Sequence, residues 1–172
     1  MFTARLCTVL RLLRRPDDLV ALGEEALASV TEPGLVGEIA WNLARGYGMT
    51  GRNDDGIAVI TRVLDGPDPG VPWRSRLRAE QGLLLVTGGR WDESVEQAQL
   101  AIAEGERDGD PVTVGWALHT LLQAASGTDA LEVLDRGLRV VVGADPESMD
   151  LRLSVPDQST GGVGQSGPRS GV

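Results

Sequence analysis

His119 is the only histidine of the 172-residue chain and Cys7 its only cysteine, so the two side chains that most often carry catalysis stand alone and far apart. A zinc site needs several His or Cys ligands. Serine or cysteine nucleophiles would all have to share His119 as their base, and no G-x-S-x-G elbow is present. All 16 basic residues are arginine; without a single lysine, a standard phosphate-cradling P-loop is excluded. Asp108 and Asp110 flank Gly109 but lack the other ligands of a calcium loop. The carboxylate pairs Asp17-Asp18, Asp54-Asp55 and Asp92-Glu93 fall where helices should begin, and there they answer the helix dipole. Cys7, in an apolar run, reads as a buried inert thiol, and no intrachain disulfide can form. The expectation is a protein that is not an enzyme and holds no cofactor or metal.

What remains is binding, and charge limits it. The net charge is −9. Residues 1–15 hold Arg5, Arg11, Arg14 and Arg15 with no acid, while the rest sets 12 Arg against 25 acids, a net of −13. An acidic body repels phosphate backbones, so direct nucleic-acid binding is not expected. No stretch reaches about 18 uninterrupted apolar residues, the length of a spanning helix. Arginines interrupt the start, MFTARLCTVLRLLRR, which makes it a poor signal peptide. A cytoplasmic protein without membrane contact is expected.

The elements that would carry a binding surface are marked by punctuation. Aromatic content is only 3% against 41% hydrophobic residues, mostly Ala, Leu and Val, which favours packed helices over a β-sandwich. Pro33, Pro72, Pro111 and Pro146 recur at similar spacing, the last two after Asp110 and Asp145; Asp suits an N-cap and Pro the first helical position. Between them, Thr50-Gly51-Arg52-Asn53-Asp54-Asp55-Gly56 lines up with Gly88-Gly89-Arg90-Trp91-Asp92-Glu93-Ser94, and Ser126-Gly127-Thr128-Asp129-Ala130 is a weaker copy. Each has a Gly to end one helix and an acid to open the next. Gly56, Ser94 and Ala130 sit where paired helices would approach closely. Ile39, Ala40, Leu43, Ala44 and Tyr47 repeat at helical spacing, as do Ile57, Ile60, Val63 and Leu64, and Val114, Ala117, Leu118 and Leu121.

These marks predict hairpins at about 1–32, 33–69, 72–107 and 111–143, with a half-repeat at 146–153 that stops without its partner. Residues 1–153 would form one helical repeat domain. Residues 154–172, rich in Gly and Ser, lack apolar patterning and are expected to be a disordered tail. Phe2, Leu6, Val9, Leu10 and Leu13 share a face opposite Arg11 and Arg15; that face is expected to pack onto the next pair, the alternative being a membrane-surface helix. The unfinished last repeat suggests a truncated chain with exposed apolar surface that self-associates.

The spacing of Ala44, Tyr47, Gly51, Gly56 and Ile60 resembles the small, aromatic, Gly, small and bulky positions of the tetratricopeptide repeat. Gly82, Leu85, Gly89, Ser94 and Ala98 repeat it, and Leu118, Leu121, Ala125, Ala130 and Leu134 do so loosely. The resemblance covers roughly residues 16–153 and implies an all-α, tetratricopeptide-like α-solenoid of three to four hairpins. Residues 109–119 (GDPVTVGWALH) and 143–153 (GADPESMDLRL) look like the helical region of large actinobacterial LuxR-type transcriptional regulators. In that family an ATPase module precedes the helical array and a helix-turn-helix follows it, and neither has a counterpart here. The resemblance therefore implies a fragment: a non-catalytic interaction or sensing segment whose partner is a protein, a peptide or a small effector. A stand-alone adaptor and the substrate-holding helical part of an enzyme are the alternatives. Carried over from the family, the groove positions are Glu38, Trp41, Arg45, Arg76, Trp116 and His119. Arg45 and Arg76 would donate to an anionic ligand, with Trp41 or Trp116 as aromatic anchor; the competing reading makes the tryptophans core and the arginines solvated.

Overall fold

The computed structural model describes residues 2–125, 130, 132, 133 and 135–137. The expectations for Asp145-Pro146, the half-repeat at 146–153, the tail at 154–172 and most of the copy at 126–130 lie outside these residues.

The fold is all-helical among the described residues: α1 (Phe2–Leu12), α2 (Pro16–Ser29), α3 (Pro33–Met49), α4 (Asn53–Leu64), α5 (Trp73–Thr87), α6 (Trp91–Asp108) and α7 (Pro111–Ala124). Each helix packs on its neighbour in the chain, except that α1, α3, α5 and α7 also pack on one another in succession. One row of helices is thus formed by the odd-numbered elements, with α2, α4 and α6 behind it.

The tight turns inside each pair have one geometry. The Arg15, Arg52 and Arg90 N–H groups reach back five residues to the carbonyls of Leu10, Tyr47 and Leu85, at 3.0, 2.9 and 2.9 Å. The residue before each arginine is left-handed: Arg14 (φ 53°), Gly51 (φ 75°) and Gly89 (φ 80°). This is the Schellman ending, whose left-handed position favours glycine because a Cβ there crowds the backbone. The same arginines are the N-caps of α2, α4 and α6. Each folds its Nε onto an acid three residues on: Asp18 (2.6 Å), Asp55 (2.7 Å) and Glu93 (2.8 Å). One hairpin signature, Arg-x-Asp-acid, therefore opens three helices. Of the marked prolines, Pro33 and Pro111 take the first helical position, whereas Pro72 stands one residue earlier, as the N-cap of α5. Pro16 opens α2 in the same way as Pro33.

Ile39, Ala40, Leu43, Ala44, Tyr47, Ile60 and Val63 are buried, and Leu77, Leu84, Ala117 and Leu118 with them. The expectation for α1 holds only in part. Its buried residues are Ala4 and Cys7; of the expected stripe Leu6 and Leu10 are half-buried, while Phe2, Val9 and Leu13 face outward with Leu12. Small residues let α1 lie close to α2 and α3, and Arg11 Nε reaches across to donate to the Asn42 side-chain oxygen Oδ1 at 3.2 Å. Close packing of small side chains has overridden the larger hydrophobic stripe.

Candidate functional site

Stripes from three helices meet in a cleft of about 480 Å³. Arg45 and Met49 lie four residues apart on α3. Glu80, Leu83, Leu84 and Thr87 follow one another on α5, and Trp116, His119 and Gln123 on α7. Offsets of three, four and seven residues put each set on one helix face. Gly48 and Gly51 on the α3 side, and Asn53 at the start of α4, complete the lining.

Arg45 sits at the centre. Its Nη1 donates to Glu80 Oε2 at 2.8 Å, with side-chain exposures of only 15% and 5%. Its guanidinium carbon lies 4.3 Å from the Trp116 ring centroid and 5.3 Å from that of Trp41. Contact with both rings and a carboxylate is what keeps a cation stable away from water. His119 lies 5.9 Å from Trp116, ring to ring. Its Nε2 is 3.3 Å from the Gln123 amide nitrogen, and its Nδ1 is buried without a hydrogen-bond partner. Burial, with Arg45 adding to it, holds the His119 imidazole below the ordinary histidine range, so it is neutral near pH 7.

Of the six groove positions inferred from the sequence, Arg45, Trp116 and His119 line the cleft. Glu38, Trp41 and Arg76 lie outside it. Glu38 is half-buried on α3, and the Asn42 amide donates to its main-chain carbonyl. Trp41 packs against Trp73, with ring centroids 6.3 Å apart, and lies under Arg11. Arg76 is engaged by both oxygens of Asp110, at 2.9 and 3.3 Å. Burial raises the Asp110 carboxyl, but hydrogen bonds from Arg76 and Thr113 outweigh it and hold the group below the usual aspartate range.

One correction follows. The arginines are neither solvated nor idle donors, because each is spent on a carboxylate of the neighbouring helix. The tryptophans are buried, Trp41 and Trp116 belonging to the core, as the competing reading expects. Arg11 to Asn42, Arg45 to Glu80 and Arg76 to Asp110 form a ladder that ties α1 to α3, α3 to α5 and α5 to α7. Glu80, Asn53, Met49, Leu83 and Gln123 were not singled out from the sequence. Glu80 had a signal: an acid between Leu77 and Leu84 on a buried stripe requires a partner, since an unpaired buried charge is costly.

Comparison of the chain with protein-family models, curated proteins and solved structures gives no match. Among the described residues no three His, Cys, Asp or Glu side chains gather as a metal site, and no helix is long and apolar enough to cross a membrane.

Proposed function

We propose that this chain is a tetratricopeptide-like solenoid, a non-catalytic interaction or sensing segment of a LuxR-type transcriptional regulator, working in the cytoplasm. The row formed by α1, α3, α5 and α7, with the other helices behind it, supports the solenoid reading. So do the repeated turns at Arg15, Arg52 and Arg90. One observation carries the binding role. The cleft brings the apolar side chains of Met49, Leu83 and Leu84 together with the polar tips of Asn53, His119 and Gln123, the mixture expected of a site for a short peptide segment or a small effector. The non-catalytic reading rests on His119, which faces Gln123 and Trp116 rather than a serine or cysteine nucleophile.

Reversing Arg45 and Arg76 is a poor probe, because each holds two helices together. Met49→Glu with Gln123→Glu alters the exposed rim instead. Peptides selected by phage display on the immobilised chain should lose about tenfold or more in affinity for this double variant, with helicity unchanged by circular dichroism. Selected peptides that bind both forms equally would remove the cleft as the site. Reading the flanking DNA for an ATPase or helix-turn-helix frame checks the regulator assignment separately.

A further inference from the structure

The cleft holds two charges, and they cancel. Of the residues that line it, only Arg45 and Glu80 are ionised, and they meet at 2.8 Å with side chains 15% and 5% exposed. Arg45 is not free to turn to a third group, because its guanidinium carbon lies 4.3 Å from the Trp116 ring centroid and 5.3 Å from that of Trp41. His119 is neutral near pH 7 and adds no charge. The polar tips that remain are uncharged. The Asn53 side chain has no hydrogen-bond partner among the described residues. Gln123 gives one N–H to His119 Nε2, which leaves its second N–H and its carbonyl open. Thr87 donates its hydroxyl to the carbonyls of Leu83 and Leu84 and keeps lone pairs with which to accept. Met49, Leu83 and Leu84 supply the apolar wall.

We infer that the occupant of this cleft is an uncharged segment of polypeptide with apolar side chains, and that the Arg45–Glu80 pair is what rejects charged ones. The assignment rests on the cleft being the binding site proposed above. A carboxylate entering it would leave water for a place whose only cation is already paired. An ammonium or guanidinium would meet Arg45 beside the one carboxylate. Either would go without a counter-charge. A primary amide, by contrast, carries a donor and an acceptor together, and so does a peptide unit. Asn53 and Gln123 can therefore satisfy main-chain N–H and C=O groups that leave water, while apolar side chains cover Met49, Leu83 and Leu84. The guanidinium that the sequence offered to an anion acts, together with Glu80, against one. Specificity here comes from what the cleft refuses.

Phage-selected peptides, synthesised with acetylated and amidated ends, test it by fluorescence anisotropy on the full chain. Those that lose affinity for the Met49→Glu, Gln123→Glu double variant use the cleft. In these peptides the residues most sensitive to alanine should be uncharged, and replacing one by Glu or by Lys should weaken binding about tenfold alike. Affinity should change little between about 0.05 and 0.5 M NaCl. Glu80→Gln keeps an oxygen for Arg45 but removes the counter-charge. With helicity unchanged, it should shift preference toward the Glu-bearing peptides about tenfold. Cleft-dependent peptides that require an acid or a base, with affinity falling steeply as salt rises, would overturn the inference and leave the cleft standing. So would a folded Glu80→Gln chain whose preference does not move. If every selected peptide binds the double variant as well as the parent chain, the cleft falls as a site and the inference with it.

Discussion

At the scale of single residues, backbone conformation and burial make the sharpest statements. Arg14 holds the left-handed position that Gly51 and Gly89 hold in the next two hairpins, at φ 53°. A side chain there costs about 1 kcal/mol relative to glycine. Arg14→Gly should therefore raise stability by about that amount, read as a higher urea midpoint at unchanged slope. His119 makes the second statement. Its imidazole titrates below the ordinary value of 6.5 because it is buried and close to Arg45. The unfolded chain then takes up the proton first, so stability is fully present above about pH 6.5 and falls as the pH drops toward the folded value. Urea midpoints at pH 7.5 and at about pH 5.5 should differ, and His119→Gln should shrink that difference. The sequence singled out His119 as a lone histidine, but not its neutral state, which depends on burial among packed helices, with Arg45 from another helix adding to it.

The helices themselves were largely legible, and close approach between them was not. On α3, Ile39, Ala40, Leu43, Ala44 and Tyr47, which the 3.6-residue period selected, are all buried, and Gly37, Trp41, Asn42 and Gly46 are buried with them. On α1 the same reasoning chose a face of which Leu6 and Leu10 are half-buried and Phe2, Val9 and Leu13 exposed, because a hydrophobic stripe does not reveal whether its neighbour has room for large side chains. Glycine shows the same limit. At Gly37 an added Cβ would lie 2.6 Å from Trp73 Cβ and 2.9 Å from Pro69 Cβ, atoms fixed close to the backbone. At Gly48 it would meet only the Leu84 Cδ2 methyl, at 2.8 Å, which can rotate away. Gly37→Ala is thus expected to cost about 2 kcal/mol. Gly48→Ala should be close to neutral, the gain in helix propensity offsetting the strain. Thermal melts of the two variants check the ordering, and equal melting temperatures would contradict the close approach of α3 to the start of α5.

At the scale of the whole molecule, helices pack chiefly on neighbours in the chain, so stability should grade along the array. Among the described helices α5 packs against α3, α4, α6 and α7, whereas α1 packs chiefly against α2 and α3. Hydrogen-deuterium exchange read by mass spectrometry should show α1 exchanging first and α5 last; uniform protection would argue for one cooperative unit. Composition, proline and glycine punctuation and helical periodicity by themselves determined that the chain is helical and where most helices start and stop, because those signals act within a few residues of where they are written. Only the tertiary structure decided that Arg45 is held by Glu80 and two tryptophans, that Arg76 belongs to Asp110, and that Phe2, Val9 and Leu12 of α1 point outward. Such partners are separated by 35 and 34 residues for the two ion pairs, and which side chains meet over that distance is set by how closely neighbouring helices pack, a quantity no local pattern records.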